Sequence, residues 1–309
     1  MTTVFIAFLL NFVVLFLIYV IFVLGLNIQW GQAGILNFGL VAFAMLGAYI
    51  TGILMFHPTA SSIMQVGLGL PFLVAFPIAV AVTGVIAWFI SPIVKFGLEE
   101  LAIITLAFAV LVHIVTDNEA WLTGGTTGLM ITSNLNDRLD VLTYNLAFVG
   151  ILLVVALAVY YFTRTLNFSQ FGRILNAIRL DELKAKSLGI DAVSYRMKAF
   201  VIGSVIVAIG GSLYLYFVVR TVPDLFPVDL TFILWIALLL GGSGNNRGAV
   251  LGMGIYMLLD MLARLYLNIP AHPEVGAGLK YVVTGLLLVV VIVRRPEGIL
   301  GPRRSKYGG

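Results

Sequence analysis

Apolar residues run through the chain in long unbroken stretches, at roughly 5–27, 33–56, 71–91, 99–116, 143–163, 197–219, 227–241, 248–267 and 278–294, with short polar linkers between them. Strands of a membrane barrel would alternate apolar and polar positions over about 10 residues. Continuous runs that approach the roughly 20 residues needed to cross a 30 Å hydrocarbon core read instead as helices. The pattern predicts an all-α polytopic membrane protein with about 8–10 transmembrane helices. Residues 1–309 then form a single transmembrane domain. The first 27 residues carry no charge and lack a basic start and a small-residue cleavage site. That favours a retained span over a signal peptide.

Two places interrupt the apolar pattern with glycine and amide side chains. They are Asn27-Ile28-Gln29-Trp30-Gly31-Gln32-Ala33-Gly34 and Gly241-Gly242-Ser243-Gly244-Asn245-Asn246-Arg247-Gly248. Irregular backbone survives at membrane depth only where protein or a water-filled cavity satisfies its amides, and paired interruptions point to a transport pathway. Each break is either such a buried feature or a loop at the membrane surface. Charge parity favours the surface for the second.

Charge supplies that parity. The stretch 164–198 holds Arg164, Arg173, Arg179, Lys184, Lys186, Arg196 and Lys198 against Asp181, Glu182 and Asp191. The positive-inside rule makes it a cytoplasmic loop. The tail at 294–309 is also basic and cytoplasmic, and the four runs between require an even number of crossings. The loop 117–142 is acidic and external, so the amino terminus lies outside.

Composition narrows the classes. With 61% hydrophobic and 10% charged residues, against about 25% charged in soluble domains, a water-soluble globule is excluded. Thirty-two glycines suit close helix packing in lipid. The absence of cysteine removes disulfides and thiolate chemistry. No G-x-x-x-x-G-K-[ST] loop is present, so ATP hydrolysis would belong to another subunit. The Thr123 to Gly128 run reads as a turn. Acidic residues in the spans are scarce, with Asp260 and Arg264 at i, i+4 the clearest candidates, so a proton-coupled secondary transporter is poorly supported. Gly241-Gly242-Ser243-Gly244 loosely matches an intramembrane serine-protease pattern, which needs a histidine within reach. The histidines are His57, His113 and His272.

The segment 171–190 carries the most information. Phe171, Ile174, Leu175 and Ile178 recur at i, i+3, i+4 and i+7, one apolar face of a helix. A second short helix follows, with Asp181 as its cap, Glu182 and Lys186 placed to pair, and Gly189 as a left-handed stop. Such a helix lies on lipid or docks into a partner protein, and its mixed charges favour the protein.

The chain resembles the permease subunits of branched-chain amino-acid ABC importers, especially the M-type. The likeness runs from Gly25-Leu26-Asn27-Ile28-Gln29-Trp30-Gly31-Gln32-Ala33-Gly34-Ile35-Leu36-Asn37-Phe38-Gly39 through Ile104-Thr105-Leu106-Ala107-Phe108 and Leu122-Thr123-Gly124-Gly125. It continues through Asp181-Glu182, Leu188-Gly189-Ile190, Leu240-Gly241-Gly242-Ser243-Gly244 and Arg295-Pro296-Glu297-Gly298-Ile299-Leu300-Gly301. Asn245-Asn246-Arg247 is unusually polar for the family. The resemblance implies a non-enzymatic transport subunit in the cytoplasmic (inner) membrane of a prokaryote, with no cofactor, metal or nucleic acid. Its implied partners are a second homologous permease, two cytoplasmic ATP-binding subunits and an external solute-binding protein, within the lipid bilayer. Branched-chain or other neutral amino acids would be the substrate, with urea or short amides as the alternative. Arg173, Arg179, Asp181, Glu182, Ala185 and Gly189 are the implied ATPase-coupling residues. Gln32, Asn37 and Thr105 are candidate pathway residues, with hydrogen bonding between helices as their other reading.

Overall fold

A backbone in hydrocarbon must satisfy its own N–H and C=O groups, so the apolar runs fold as helices. The computed structural model describes residues 2–58, 63–131, 141–266 and 298–301, with scattered helical positions between 282 and 294. Helix α1 (Thr2–Leu26) passes directly into a π-helical turn, Asn27–Gln32, and an irregular stretch then leads to α2 (Leu40–Met55). Next come α3 (Phe72–Ile90), a 3-10 turn at Ser91–Lys95, α4 (Leu98–Asn118), the short α5 (Ala120–Thr123) and α6 (Val141–Phe168). The basic segment forms α7 (Gln170–Leu180) and α8 (Glu182–Ser187), followed by α9 (Ala192–Val218), α10 (Asp229–Gly241) and α11 (Asn246–Tyr266). Two short strands, β1 (Leu129–Met130) and β2 (Arg220–Thr221), pair antiparallel.

Among the described residues six helices are long and apolar enough to cross a membrane, and two further apolar runs form shorter or more polar helices. The run at 33–56 yields a helix of only 16 residues, about 24 Å at 1.5 Å per residue, because its first seven residues are irregular. The run at 248–267 is helical as α11, whose span begins at Asn246 and so takes in Arg247 as well as Asp260. Most of the last run, the basic tail beyond 301 and His272 lie outside the described residues, as does the side chain of Arg264.

Burial sorts inner helices from outer ones. The most apolar window is 67% buried in α9 and 61% in α1, against 22% in α3 and 28% in α4 and α6. Helix α9 is the central post, packed on α1, α2 and α3. Its seam with α2 is made of small residues, as expected where close backbone approach replaces the hydrophobic drive. A Cβ on Gly211 would stand 2.0 Å from the Ala44 carbonyl oxygen, and one on Gly47 would stand 2.4 Å from that of Ala208. Thr51 Oγ1 lies 2.9 Å from Ser212 Oγ, which lies 2.9 Å from the Gly47 carbonyl.

Helices α1 and α9 are antiparallel, since Gly25 abuts Gly203 while Gly210 abuts Phe22. One end of the bundle therefore gathers the C-terminus of α1, the N-terminus of α9, both helices of the basic segment and the α10–α11 break. Lys95, Arg173, Arg179, Lys184, Lys186 and Arg196 all lie there. The amides of Ile299 and Leu300 donate to the Leu240 and Gly241 carbonyls at 3.0 and 2.9 Å, so the chain just beyond residue 297 returns to this same end. The β ribbon, Asp117, Glu119 and Asp224 mark the opposite end. This is the end that the positive-inside rule expects in the cytoplasm, with α1 starting on the other side.

Candidate functional site

The elbow formed by α7 and α8 is built as its sequence pattern requires. Ser169 caps α7 by accepting from the Gly172 amide. Leu175 and Ile178 are buried, with Phe171 and Ile174 partly so, and this apolar face turns into the protein rather than lying on lipid. Asp181 ends α7 and caps α8, accepting from the Lys184 amide at 3.0 Å. Gly189 takes φ +80 at the stop. Ile178, Ala185 and Ala192 form a small core with Ile174, Ile190 and Tyr195, which fixes the elbow against α9.

Glu182 adds an ionic tie, with Lys186 at 2.7 Å and Arg196 of α9 at 2.6 Å. The Lys186 hydrogen bond, helped by Arg196, holds its carboxyl below the usual glutamate range. Asp181 is held low by the Lys184 amide and side chain. Arg173 remains exposed and donates to the Phe168 carbonyl at 3.1 Å. Beyond these ties the elbow shows solvent three large apolar side chains: Leu180, Leu183 and Leu188 are 87%, 78% and 81% exposed.

Arg179 points the other way. Its Nη1 donates to the Gly31 carbonyl in the first break, its Nη2 reaches Ser243 Oγ in the second at 3.4 Å, and its guanidinium lies 5.9 Å from the Trp30 ring. Burial lowers its pKa from the usual arginine value, and the guanidinium stays charged at physiological pH. Gly34, at φ +67, leaves room for the arginine stem: a Cβ there would sit 3.3 Å from Arg179 Cγ. One side chain of the elbow thus clasps both interruptions.

The first break is the buried kind. Asn27, Gln29, Gln32 and Asn37 are all nearly inaccessible, and their amides make the bonds that the irregular backbone needs. Asn27 Nδ2 donates to Asn246 Oδ1 at 2.9 Å, and Asn27 Oδ1 accepts from the Gly244 amide at 2.8 Å. Asn246 also accepts from Asn167 at 3.1 Å and donates to Thr163 at 2.7 Å. Gln29 bonds the Phe200 carbonyl and Ser204 of α9. The second break lies at the basic end, with Gly241, Gly242, Asn246 and Gly248 buried, Ser243, Gly244 and Asn245 partly buried and Arg247 exposed.

The three candidate pathway residues all lie along this break. Gln32 donates to Asn167, and its Oε1 is buried without a partner. Asn37 donates to Gln29 at 2.9 Å, caps the Gly39 amide at 2.8 Å and offers its carbonyl to Trp235 Nε1 at 3.1 Å. Thr105 of α4 accepts from the Phe38 amide at 3.1 Å and donates to the Ala102 carbonyl at 3.0 Å. Trp235 in turn packs against Trp30 at 4.9 Å between ring centres, the rings tilted by 59°. Sequence reasoning noted the polar Asn245-Asn246-Arg247 but not the network that Asn246 organises with Asn27, Asn167 and Thr163.

Among the described residues Ser243 meets Arg179 rather than a histidine, and His57 and His113 belong to the opposite half of the bundle. The Thr123 to Gly128 run is a turn, with Gly124, Gly125 and Gly128 at positive φ leading into β1.

Comparison with known proteins shows the family. The family model described as "Branched-chain amino acid transport system / permease component" matches residues 8–292. The probable branched-chain amino acid transport permease protein LivM of Methanocaldococcus jannaschii is 31% identical, across 92% of this chain and 90% of that protein. The high-affinity LivM permease protein of Escherichia coli (strain K12) is 26% identical across 94% of this chain and 69% of its own length. LivH of the same strain is also 26% identical, across 92% of this chain and 91% of its own. No solved structure matches the chain. With its bundle of apolar helices, this is a multi-pass membrane transport subunit and not an enzyme, and it belongs to the family of branched-chain amino acid transport permease components.

Proposed function

We propose that this chain is one permease half of an ATP-driven importer of branched-chain or similar neutral amino acids in a prokaryotic cytoplasmic membrane. It works with a second homologous permease, two cytoplasmic ATP-binding subunits and an external solute-binding protein. The observation that carries the reading is the elbow: Leu180, Leu183 and Leu188 project from a rigid, ion-paired turn at the basic end, with no apolar cover. Exposed apolar clusters rimmed by charge mark protein contacts, and a lipid-surface helix would turn its apolar face outward rather than bury it. The similar permeases of branched-chain amino acid transport support the substrate class.

The mechanism follows the bonds. A push on the elbow moves Arg179, and Arg179 grips the Gly31 carbonyl and Ser243. Displacing Gly31 disturbs the π-helical turn and, through Trp30 and Trp235, the Asn37 carbonyl. Gln32, Asn37 and Thr105 then border a pathway whose shape changes with the elbow. Amide and hydroxyl groups suit a zwitterion with an apolar tail, because a fixed charge would hold one end too tightly for release.

Leu183→Glu places a charge in the exposed cluster without touching the buried ties. Co-purification of the ATP-binding subunits and uptake should both fall at least tenfold, with the permease still present in the membrane. Uptake that persists without any ATP-binding partner would refute the reading. Competition by leucine, isoleucine and valine, against urea and acetamide, decides the substrate class.

A further inference from the structure

Helix α6 is one of the outer helices, and its apolar window spans Thr143–Phe168. That is about 39 Å at 1.5 Å per residue, against a hydrocarbon core of roughly 30 Å. Arg164 stands roughly 32 Å along the axis from Thr143, so it falls at headgroup level at the basic end. Tyr161, Arg164, Thr165, Phe168 and Ser169 follow at i, i+3, i+4, i+7 and i+8, one stripe of the helix. Together they line an open groove of about 460 Å³. All but Ser169 are exposed, so the packing of the chain leaves the groove uncovered.

Charge decides what fits it. Among the described residues Arg164 has no carboxylate partner. Arg173, in the first turn of α7, returns Nη1 to the Phe168 carbonyl at 3.1 Å and is otherwise exposed, so a second guanidinium stands beside the groove. Residues 141–180 include no aspartate or glutamate, and Asp181 beyond them is tied to Lys184 at 3.0 Å. Thr165 and Ser169 donate their hydroxyls to the Tyr161 and Leu166 carbonyls. The donors left for a ligand are therefore the two guanidiniums and the Tyr161 hydroxyl. A cation at the margin of an apolar span needs a counter-ion from the phase around it, and an anionic lipid offers a phosphate at that depth with acyl chains alongside. The planar fork of arginine matches phosphate oxygens.

We propose that this groove binds one anionic phospholipid from the leaflet at the basic end. The lipid phosphate pairs with Arg164 and Arg173, and its glycerol lies between Tyr161 and Phe168. Its acyl chains continue along the same stripe of α6 over Leu157 and Val154, both exposed. Such a lipid touches the root of the elbow, since Ser169 caps α7 and Arg173 belongs to it. Neither the transported substrate nor the ATP-binding subunits enter the argument, which needs only a chain that sits in a bilayer.

The test titrates lipid into the delipidated transporter, purified with its partner subunits, and counts bound lipids by native mass spectrometry. Dioleoylphosphatidylglycerol should fill one position at least fivefold more tightly than dioleoylphosphatidylcholine, which has the same tails and a zwitterionic headgroup. Arg164→Gln should abolish that preference. Thr165→Trp keeps both arginines but fills the groove from an exposed position, and it should weaken the same step at least fivefold. Lys184→Gln removes one positive charge from the far side of the elbow and should leave the step unchanged, which separates a local site from the diffuse field of the basic end. sn-Glycerol 3-phosphate, a headgroup without tails, should fail to displace the lipid. The proposal is overturned if Arg164→Gln keeps the preference, if Lys184→Gln lowers it as much, or if glycerol phosphate displaces the lipid. A wild-type transporter with no preference, as when the second permease covers the groove, overturns it as well.

Discussion

Arg179 holds a full charge half-buried between two interruptions that lie far apart in the chain, and its partners are a backbone carbonyl, a serine hydroxyl and an indole face. Hydrogen bonds from a charged donor contribute about 1.5–3 kcal/mol, and a partly desolvated cation over an aromatic ring contributes roughly 0.5–2 kcal/mol. Arg179→Ala removes these ties while leaving Leu180, Leu183 and Leu188 in place. Uptake should then fall at least tenfold while the ATP-binding subunits still co-purify. Arg179→Lys should restore little, since a point ammonium cannot span Gly31 and Ser243 as a planar fork does. Uptake at the original rate in Arg179→Ala would show that motion reaches the break by another route. The sequence marks Arg179 as part of a basic elbow, but not its inward direction. Amphipathic spacing says which helix face is apolar and is silent on what stands opposite a polar side chain at its margin. Asn246 teaches the same lesson: its polarity is visible, whereas its bonds to Asn27, Asn167 and Thr163 exist only once three distant segments meet.

Helical elements are legible where one physical rule decides them. Unbroken apolar runs become α1, α3, α4, α6, α9 and α10 because hydrocarbon leaves the backbone no other partner. The elbow is legible for a different reason, since its caps and stop are local: Asp181 bonds an amide three residues on, and Gly189 needs only its own φ. The shortness of α2 is not legible, because hydropathy reads residues 33–39 as apolar without revealing that Gln29, Asn37 and Thr105 hold them out of helix. The α2–α9 seam gives this scale its prediction. A side chain on Gly211 would collide with the Ala44 carbonyl, whereas Gly150 on α6 has open space around it. Overpacking a tight contact costs about 1–3 kcal/mol or more. Gly211→Leu should therefore lower the thermal midpoint of the purified protein and its yield in the membrane, with Gly150→Leu nearly unchanged. Equal behaviour of the two variants would mean that the seam contributes no more than the lipid-facing surface.

At the scale of the whole molecule, the charges and the bonds fix the same axis independently. The basic residues crowd the end where both breaks, the elbow and the chain at 298–301 converge, and Asp117 and Glu119 lie at the other. That coincidence has a functional sense: a force arriving from the cytoplasm meets the elbow first, and the elbow already grips the irregular backbone inside the bundle. Orientation is thus the premise on which the coupling route rests. The chain has no cysteine, so single cysteines report position without background. Thr126 beside the β ribbon and Ser187 on α8 are both exposed and stand at opposite ends. In right-side-out vesicles a membrane-impermeant maleimide should modify Thr126→Cys and spare Ser187→Cys, and inside-out vesicles should reverse the pattern. Were Ser187→Cys the one labelled from outside, the elbow would face away from ATP, and a cytoplasmic power stroke could not stand.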